Sequence, residues 1–505
     1  MKTSTIRKYA LLSICLFLSC GFKAQDVKLT LTITQGSLSY YLGDQIDTVT
    51  DLTLIGEING WDVNTIRNMS SLTKLDMANI DIKAGGFFYL GRYIFIEDDK
   101  IPASMFFSMS NLTSVILPTN IIDIGNQAFQ DCSGLTSISI PTGVSAIDTL
   151  VFANCSGLKT FVVPNHITAI NSRAFWGCTG LTSVTIPASV SSVGKSAFAI
   201  CTGLKEFIVS ESNPIVSSVD GVLFSKDKTK LIAYPNAKSS IYTVPVITKS
   251  IDEYAFESCS GLGSVVIGDN VTSLGDGVFY NCTGLSYVTI GNSVTSIKTN
   301  TFYNCNNLTS VVIPNSVTSI GWDAFGYCSK LSSLDLGNGI TSIDIYAFTY
   351  CTALSYVILP ASLKSIAGWA FSYCTGLNNI YSKAVAPPSI TSTTFNNVDK
   401  NVCNLFVPIG SYSSYKSATG WSDFKYINEI GTSIPQLNVG DIKVYAEQDA
   451  IIVNGASLGN VISVYDTAGA LVQSIKVTDD ITRIYVPKNR IYMVRVTSKT
   501  FKVAL

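Results

Sequence analysis

A 23-residue spacing between phenylalanines constrains this chain more than any other feature of its sequence. Each of these phenylalanines is followed three residues later by a cysteine, and the spacing holds through two runs. A constant period in this range is typical of solenoids, in which stacked repeats contact only their neighbours. The phenylalanines are Phe129, Phe152, Phe175 and Phe198 in the first run, and Phe256, Phe279, Phe302, Phe325, Phe348 and Phe371 in the second.

Each period contains a turn and a strand. Ala324, Phe325 and Cys328 have a spacing that places them on one face of a short helical turn. The segment Leu308–Ile313 has the form L-x-x-Φ-x-Φ, where Φ is an apolar residue, and its alternation predicts a strand. A glycine shortly after the cysteine, such as Gly134, suits the left-handed residue that often ends a turn. The pattern predicts a mostly β solenoid with short helical turns.

Thirteen cysteines would suggest disulfides in an exported chain, but their spacing argues against this. Ten of them occupy the same repeat position. Stacked strands would place these side chains about 4.8 Å apart and parallel, whereas a disulfide needs converging Cβ atoms about 3.8 Å apart. We therefore predict a ladder of buried thiols. Zinc binding is the alternative, and the lack of a Cys-x-x-Cys pair disfavours it.

Charge and apolar content argue against nucleic-acid binding and against a membrane-spanning helix. The net charge is −1 and only 14% of residues are charged, so there is no basic stripe for nucleic acid. Beyond the N-terminus, no apolar run reaches the roughly 18 residues that a membrane-spanning helix needs. We therefore predict no transmembrane span, and we interpret the apolar residues, which recur at repeat spacing, as a core.

The N-terminal part lacks the regular period. Residues 1–24 predict a secretory signal peptide, with a basic start and an apolar segment at Ala10–Leu18. A lipoprotein signal with Cys20 as the modified residue is the alternative. Residues 25–106 predict an N-terminal cap containing one diverged repeat near Leu72, because the end of a solenoid would otherwise expose its apolar core.

The remaining chain divides at changes of pattern. Regular repeats occupy residues 107–383, with a variant at 210–245 where Asp220–Gly221 between apolar runs predicts a β-hairpin. This hairpin is either a projecting recognition element or an insertion tolerated at the solenoid edge. Residues 384–430 predict a C-terminal cap. The short alternating strands within residues 431–505 predict a small β-sandwich.

The outward residues of the repeat strands offer a candidate binding surface. When the Φ residues point inward, the third and fifth residues of L-x-x-Φ-x-Φ point outward. These positions carry hydroxyls, β-branched residues and tyrosines with almost no charge, which suits a protein or glycan ligand. The alternative is that Ser, Thr and Val are simply good strand formers. The predicted ligand face comprises Tyr287, Tyr356, Tyr381, Ser310, Val312, Ser333 and Asp335.

No residue pattern indicates catalysis. The single histidine, His166, follows Pro164 in a predicted exposed turn, and a general base needs partners within reach. One histidine also excludes a paired-histidine metal motif, and neither G-x-G-x-x-G nor G-x-S-x-G occurs. We therefore predict no catalytic residue, no cofactor and no metal ion.

The repeat resembles a known family. Ile313–Leu331 matches Ile-Pro-x-x-Val-x-x-Ile-Gly-x-x-Ala-Phe-x-x-Cys-x-x-Leu at every fixed position, and this unit resembles the BspA-like (treponemal-type) leucine-rich repeats of bacterial surface proteins. The resemblance covers about Ile101–Tyr381. The hairpin at Asp220–Asp227 and the caps at Asn64–Leu75 and Val407–Ile430 are also similar to features of that family. The resemblance implies a leucine-rich repeat solenoid at the bacterial surface.

The C-terminal residues resemble the type A sorting domain of the type IX secretion system of Bacteroidetes. That resemblance implies export by the secretion machinery through the outer membrane, removal of the tail, and release or surface anchoring. A glycine common in such tails is replaced here by Asn489–Arg490, and a lipidated Cys20 would fit this route poorly. The matching residues are Val464–Asp466, Gly469, Leu471–Val472, Tyr492–Val496 and Phe501–Leu505.

These observations predict an exported, non-enzymatic, adhesin-like binding protein. It would be secreted or held at the outer cell surface after signal-peptide cleavage. It would recognise a protein or carbohydrate ligand, such as a host matrix protein, through the ligand face. The alternative is a structural component of the cell surface or matrix without a soluble ligand. A hydrolase is a third hypothesis, and it rests only on the kinds of protein that carry such tails.

Overall fold

The computed structural model describes residues 26–89 and 92–430 and, with gaps at the turns, residues 443–504. Within these ranges the chain forms a long parallel β-solenoid, which confirms the predicted fold class. The predicted signal peptide with Cys20 lies outside the described residues, as does the segment 431–442. Strands are numbered in chain order.

The 23-residue period begins far upstream of the first Phe-x-x-Cys turn. Lys28 pairs with Asp51 and Asp51 pairs with Lys74 in parallel, each at 23 residues' separation. The predicted cap therefore contains further coils of the solenoid, in which helices replace the usual turn. Its elements are β1 (Lys28–Ile33), α1 (Leu38–Leu42), a 3-10 helix (Gly43–Gln45), β2 (Asp51–Ile58), α2 (Gly60–Arg67) and β3 (Lys74–Ile82).

A two-stranded ribbon interrupts the next coil. Lys74 pairs with Ser114, which lies 40 residues further on rather than 23. The insertion forms the antiparallel pair β4 (Gly85–Tyr89) and β5 (Arg92–Ile96), and β6 (Lys100–Ile101) follows. No sequence pattern predicted this ribbon.

The regular repeats build two parallel ladders. The first ladder contains the L-x-x-Φ-x-Φ strands: β7 (Ser114–Ile116), β9 (Ser137–Ile138), β11 (Thr160–Val162), β13 (Ser183–Ile186), β15 (Glu206–Val209), β19 (Ile241–Thr243), β21 (Ser264–Val266), β23 (Tyr287–Thr289), β25 (Ser310–Val312), β27 (Ser333–Asp335), β29 (Tyr356–Leu359) and β31 (Asn379–Ser382). The second ladder contains shorter strands: β8 (Asp123–Ile124), β10 (Ala146–Ile147), β12 (Ala169–Ile170), β14 (Ser192–Val193), β20 (Ser250–Ile251), β22 (Ser273–Leu274), β24 (Ser296–Ile297), β26 (Ser319–Ile320), β28 (Ser342–Ile343) and β30 (Ser365–Ile366).

Tight turns connect the second ladder to the next strand of the first. In one turn, the amides of Gln130 and Cys132 donate to carbonyls three residues earlier, at 3.1 and 3.2 Å. Two residues of this turn, Gln127 (φ 61°) and Asp131 (φ 63°), are left-handed, and such residues interrupt an α-helix. The short helical turns expected here are therefore series of hydrogen-bonded turns.

The glycine that several repeats carry two residues after the cysteine has a different role from the one predicted. Gly134 does not have a positive φ, whereas Asp131, just before the cysteine, does. A Cβ on Gly134 would lie 2.5 Å from the carbonyl oxygen of Ser110 in the preceding coil, and Gly157 has the same relation to Leu135. The left-handed prediction was wrong: at Gly134 and Gly157 glycine leaves room for the close approach of the preceding coil, whereas other repeats carry Asn307, Lys330 and Ala353 at this position.

Phenylalanine and cysteine form the centre of the core. The phenylalanine rings stack along the solenoid with neighbouring centroids 4.7 to 5.7 Å apart. The eleven cysteines of the described chain are buried and free, which confirms the predicted thiol ladder. Cys328 donates to the carbonyl oxygen of Phe302 at 3.1 Å, and Cys132 donates to that of Phe106 at 3.0 Å. Burial raises the pKa of both thiols to about 12, so they stay protonated.

The variant repeat lies inside the solenoid and divides its core. The predicted hairpin is confirmed, with Asp220 and Gly221 both at positive φ between β16 (Val216–Val219) and β17 (Val222–Ser225). β18 (Lys230–Ala233) pairs antiparallel with β17 and parallel with β20. Along β17, Leu223 packs into the N-terminal core cluster, whereas its neighbour Phe224 packs into the C-terminal one. Val222, Leu223 and Phe224 of the hairpin are thus part of the core, whereas Asp220 at its turn is exposed.

The C-terminal end is closed by aromatic residues. β32 (Asn404–Pro408) and β33 (Tyr426–Ile430) continue the solenoid sheet beyond β31, and α3 (Tyr412–Ser417) lies between them in the chain. Trp421 and Tyr415 are fully buried, and the indole of Trp421 donates to the carbonyl oxygen of Pro388 at 2.8 Å. These contacts cover the apolar end of the last coil.

Two antiparallel sheets follow the solenoid, and we call them the C-terminal sheets (residues 443–504). Their strands are β34 (Lys443–Glu447), β35 (Ala450–Asn454), β36 (Val461–Asp466), β37 (Leu471–Lys476), β38 (Ile481–Tyr485), β39 (Ile491–Val496) and β40 (Lys499–Ala504). One sheet has the order β34-β35-β38 and the other β37-β36-β39-β40. Val453, Val464 and Val494 belong to one buried cluster that draws on both. Their arrangement as a sandwich stays a prediction.

Candidate ligand-binding face

The repeat register brings the predicted ligand-face residues into two rows. Ser310 pairs with Ser333, and Val312 pairs with Asp335, so each position lies beside its equivalent in the next repeat. Tyr356 occupies the same position in β29 as Ser333 does in β27. The face runs over five strands from β23 to β31, roughly 19 Å at the usual spacing between strands.

The predicted residues differ in how much surface they offer. Val312 is 43% exposed, and Tyr356 is half-buried. Tyr381 is only 7% exposed, because its ring stacks on Phe406 with centroids 4.7 Å apart, and burial raises the pKa of its hydroxyl. Tyr381 therefore packs against the C-terminal cap and offers a ligand little more than an edge.

Two ligand-face residues contact the C-terminal sheets. The Arg495 guanidinium lies over the Tyr287 ring, 4.6 Å from its centroid, and donates to the Ser310 hydroxyl at 2.8 Å. The Tyr287 hydroxyl is hydrogen-bonded to the Thr500 hydroxyl at 2.7 Å and accepts from Thr289 at 3.2 Å. The sequence gives no periodic signal for these contacts, since they join residues about 200 positions apart.

The N-terminal half of the same ladder carries apolar residues that the predicted face omitted. Ile116 is 49% exposed, Val162 is 68% exposed and Ile208 is 47% exposed. They occupy the fifth position of alternate repeats, which the L-x-x-Φ-x-Φ pattern already marks as outward. Partly apolar surface with few charges therefore extends well beyond the five predicted strands.

A second aromatic series lies on the turn side. Tyr327 is 41% exposed and Tyr373 is 37% exposed, and both stack on Tyr350, at 4.7 and 4.4 Å between centroids. All three have positive φ, which is unusual for so bulky a residue. Because the rings cover one another's faces, mainly their edges and hydroxyls meet solvent.

The structure brings no catalytic group together in its described part. His166 lies in a turn as predicted, but it is half-buried rather than exposed. Glu257 accepts from the Ser196 hydroxyl at 2.9 Å, and burial raises the pKa of its carboxyl. The adjoining cavity is about 30 Å³, room for water and not for a substrate. Across residues 26–89, 92–430 and the described strands beyond, no three His, Cys, Asp or Glu side chains form a potential metal site.

The repeat family is settled by a match to a family profile. The profile of the BspA type leucine rich repeat region matches six copies, over residues 99–230, 232–355 and 295–419. These segments cover well over half of the 505 residues. The chain belongs to the BspA-type leucine-rich repeat family. Leucine-rich repeats of this kind form scaffolds and extended binding surfaces, and the profile names no catalytic family.

Several solved structures are similar to this BspA-type chain. One is a leucine rich cell surface protein from Faecalibacterium prausnitzii, at 29% identity over 66% of this chain and 79% of that one, with a TM-score of 0.49. Another is a leucine-rich repeat protein from Eubacterium ventriosum, at 23% identity over 63% of this chain and 88% of that one, with a TM-score of 0.50. The second likeness supports the fold alone. A comparison with curated proteins returned no match.

Among the residues that the structure describes, none of the helices has the length and apolar content to cross a bilayer.

Proposed function

We propose that this BspA-type protein is an exported, non-enzymatic binding protein that recognises a protein or carbohydrate through its first strand ladder. The observation that carries the proposal is the outward surface of that ladder, which carries few charges, with exposed Val162, Ile208 and Val312 and the half-buried ring of Tyr356. Water-exposed apolar side chains on the same side of a solenoid favour contact with a partner.

A screen of the full-length chain against glycans and matrix proteins tests the proposal. For a ligand found in the screen, we expect Tyr356→Ala to weaken binding about tenfold or more, as for an aromatic residue central to an interface. Val162→Asp places a charge on the N-terminal half of the same ladder and should act in the same direction. Tyr327→Ala removes a more exposed ring from the turn side and is the control.

The outcome of the screen also separates the competing functions. A ligand whose affinity depends on Tyr327 but not on Tyr356 or Val162 would move the site to the turn side. No ligand in any screen would favour the structural role in the cell surface or matrix. Turnover of substrates in a broad hydrolase panel would overturn the non-enzymatic proposal.

We also propose that the C-terminal sheets direct export through a type IX secretion system, and that the mature protein is secreted or surface-held. Their order of antiparallel strands supports this, together with the sequence resemblance described above. Cell fractionation of the intact chain and of a chain truncated after residue 430 provides the test. If the truncated chain reaches the outside equally well, the C-terminal sheets are not the export signal.

A further inference from the structure

We propose that the C-terminal sheets cover the ligand face at Tyr287 and Ser310, so that the intact chain holds this part of its binding surface closed. The inference rests on the proposed function of the first ladder. It adds a specific intramolecular occupant and a condition for binding: the C-terminal sheets must be displaced or detached before an external ligand reaches these two residues.

The contacts match one another in spacing. Arg495 and Thr500 are direct cross-strand partners in the β39–β40 hairpin, so they lie side by side on one sheet. Tyr287 and Ser310 hold the same position in adjacent repeats, 23 residues apart, so they also lie side by side. Arg495 contacts both of the latter, and Thr500 contacts Tyr287. Two neighbouring residues of one sheet thus meet two neighbouring residues of the other.

The chemistry of these contacts is that of an interface. A guanidinium over a tyrosine ring gains cation–π attraction, and the same guanidinium donates a charge-assisted hydrogen bond to Ser310. The Tyr287 hydroxyl, which a free face would present to water, is hydrogen-bonded to Thr500 and Thr289. The ring face and the hydroxyl of Tyr287 are therefore both in contact with other residues.

The low exposure of Ser310, compared with residues at the same position of other repeats, also indicates that another surface covers it. Ser310 is 7% exposed. The side chains described at the equivalent position of the other repeats are half-buried or exposed: Ser114, Ser137, Thr160, Ser183, Glu206, Ser264, Tyr287, Tyr356 and Asn379. A serine on the outward side of a solenoid strand loses its solvent when another surface lies over it, and Arg495 supplies that surface.

The covalent connection between the solenoid and the C-terminal sheets favours the contact of Arg495 and Thr500 with the ligand face. Only the twelve residues 431–442 separate the last solenoid strand from β34. A short tether produces an effective concentration of about millimolar, so a contact too weak to persist between separate molecules still closes within one chain. Cutting the tether removes this advantage. An external ligand must outcompete the C-terminal sheets in the intact chain. Its apparent dissociation constant equals the intrinsic one divided by the fraction of open molecules.

Hydroxyl-radical footprinting of the full-length chain tests the cover without any ligand. The readout is the oxidation rate of Tyr287, measured by mass spectrometry, with Tyr327 as the internal reference. Arg495→Glu removes the cation from one side, and Ser310→Leu places a bulky side chain on the other. We expect Tyr287 oxidation to rise severalfold in both variants. Ser183→Leu makes the same substitution at the equivalent position of β13, and should leave Tyr287 unchanged.

A second arm measures the consequence for binding. A protease site inserted within 431–442 allows the full-length chain to be cut after folding, and size-exclusion chromatography then reports whether the two parts separate. We expect separation, increased Tyr287 oxidation, and tighter binding of any ligand found in the screen described above. The same Tyr287 oxidation in the intact chain, the cut chain and both variants would overturn the cover.

The two proposals fail in different ways. If footprinting shows the cover but no ligand binds the cut chain, the cover stands and the proposed function fails. If a ligand binds through Tyr356 with the same affinity before and after cutting, and Tyr287 oxidation is unchanged, the proposed function stands and the cover fails.

Discussion

Replacing Phe302 by alanine tests whether the stacked phenylalanines hold the solenoid together. Its side chain is fully buried, between Phe279 at 5.2 Å and Phe325 at 5.0 Å, both nearly parallel to it. Phe→Ala in a packed core costs about 3–5 kcal/mol, the sum of lost transfer free energy and the cavity left behind. We expect the upper part of that range, because the rigid sheet ladders on either side limit collapse into the cavity.

Urea unfolding of the full-length chain, followed by tryptophan fluorescence, provides the measurement. Trp322 and Trp369 lie in the same C-terminal half of the solenoid as Phe302, and they report its transition. Ile345→Ala, at a side chain that is 40% exposed, is the control and should change the unfolding free energy by about 0.5 kcal/mol or less. A loss below about 1 kcal/mol for Phe302→Ala would refute the core assignment.

Three further predictions follow from the repeats. Gly134→Ala should destabilise the chain by about 1–3 kcal/mol, because its Cβ would strike the preceding coil, whereas Gly268→Ala, with no atom within 4 Å, should be neutral or slightly stabilising in the same melts. The eleven described cysteines should resist thiol reagents at pH 8 until the chain unfolds, because their side chains are buried, and burial raises the pKa of the Cys328 thiol to about 12; rapid native labelling would contradict this. Burial raises the pKa of Asp323 to about 6, so its ionisation in the folded state costs stability as pH rises from about 4 through 6. Asp323→Asn should therefore melt like the parent at pH 4 and at a higher temperature at pH 7.5; equal melting at both would show that the carboxyl is well solvated.

The sequence period was enough to predict the ladders because one residue type recurs at each buried position. The period did not reveal the N-terminal coils, where different residue types form the same solenoid backbone. The coils that begin at Lys28 and Asp51 keep the 23-residue register, yet helices replace the Phe-x-x-Cys turn and hide the period. Gly134 was misassigned because close packing and positive φ both select glycine, and only the coordinates distinguish them.

The candidate face could be predicted in its rows but not in its accessibility. Alternation along a strand fixes which side chains point outward, and this placed Val312 and Tyr356 correctly on the surface of the first ladder. It carries no information about what lies over that surface. Phe406 over Tyr381 and Arg495 over Tyr287 come from parts of the chain without the period. Exposure therefore depends on tertiary contacts that no local pattern encodes.

The division of the core at β17 limits how far unfolding that starts at one end of the solenoid can spread. Because Leu223 and Phe224 point into different clusters, apolar contacts do not run continuously from one end of the solenoid to the other. In an uninterrupted stack, a coil lost at one end exposes the next, and fraying can proceed coil by coil. Here, fraying that enters from the C-terminal end meets a three-stranded antiparallel barrier at β16–β18. A protein exposed to proteases outside the cell could lose one half of its repeats and keep the other half folded.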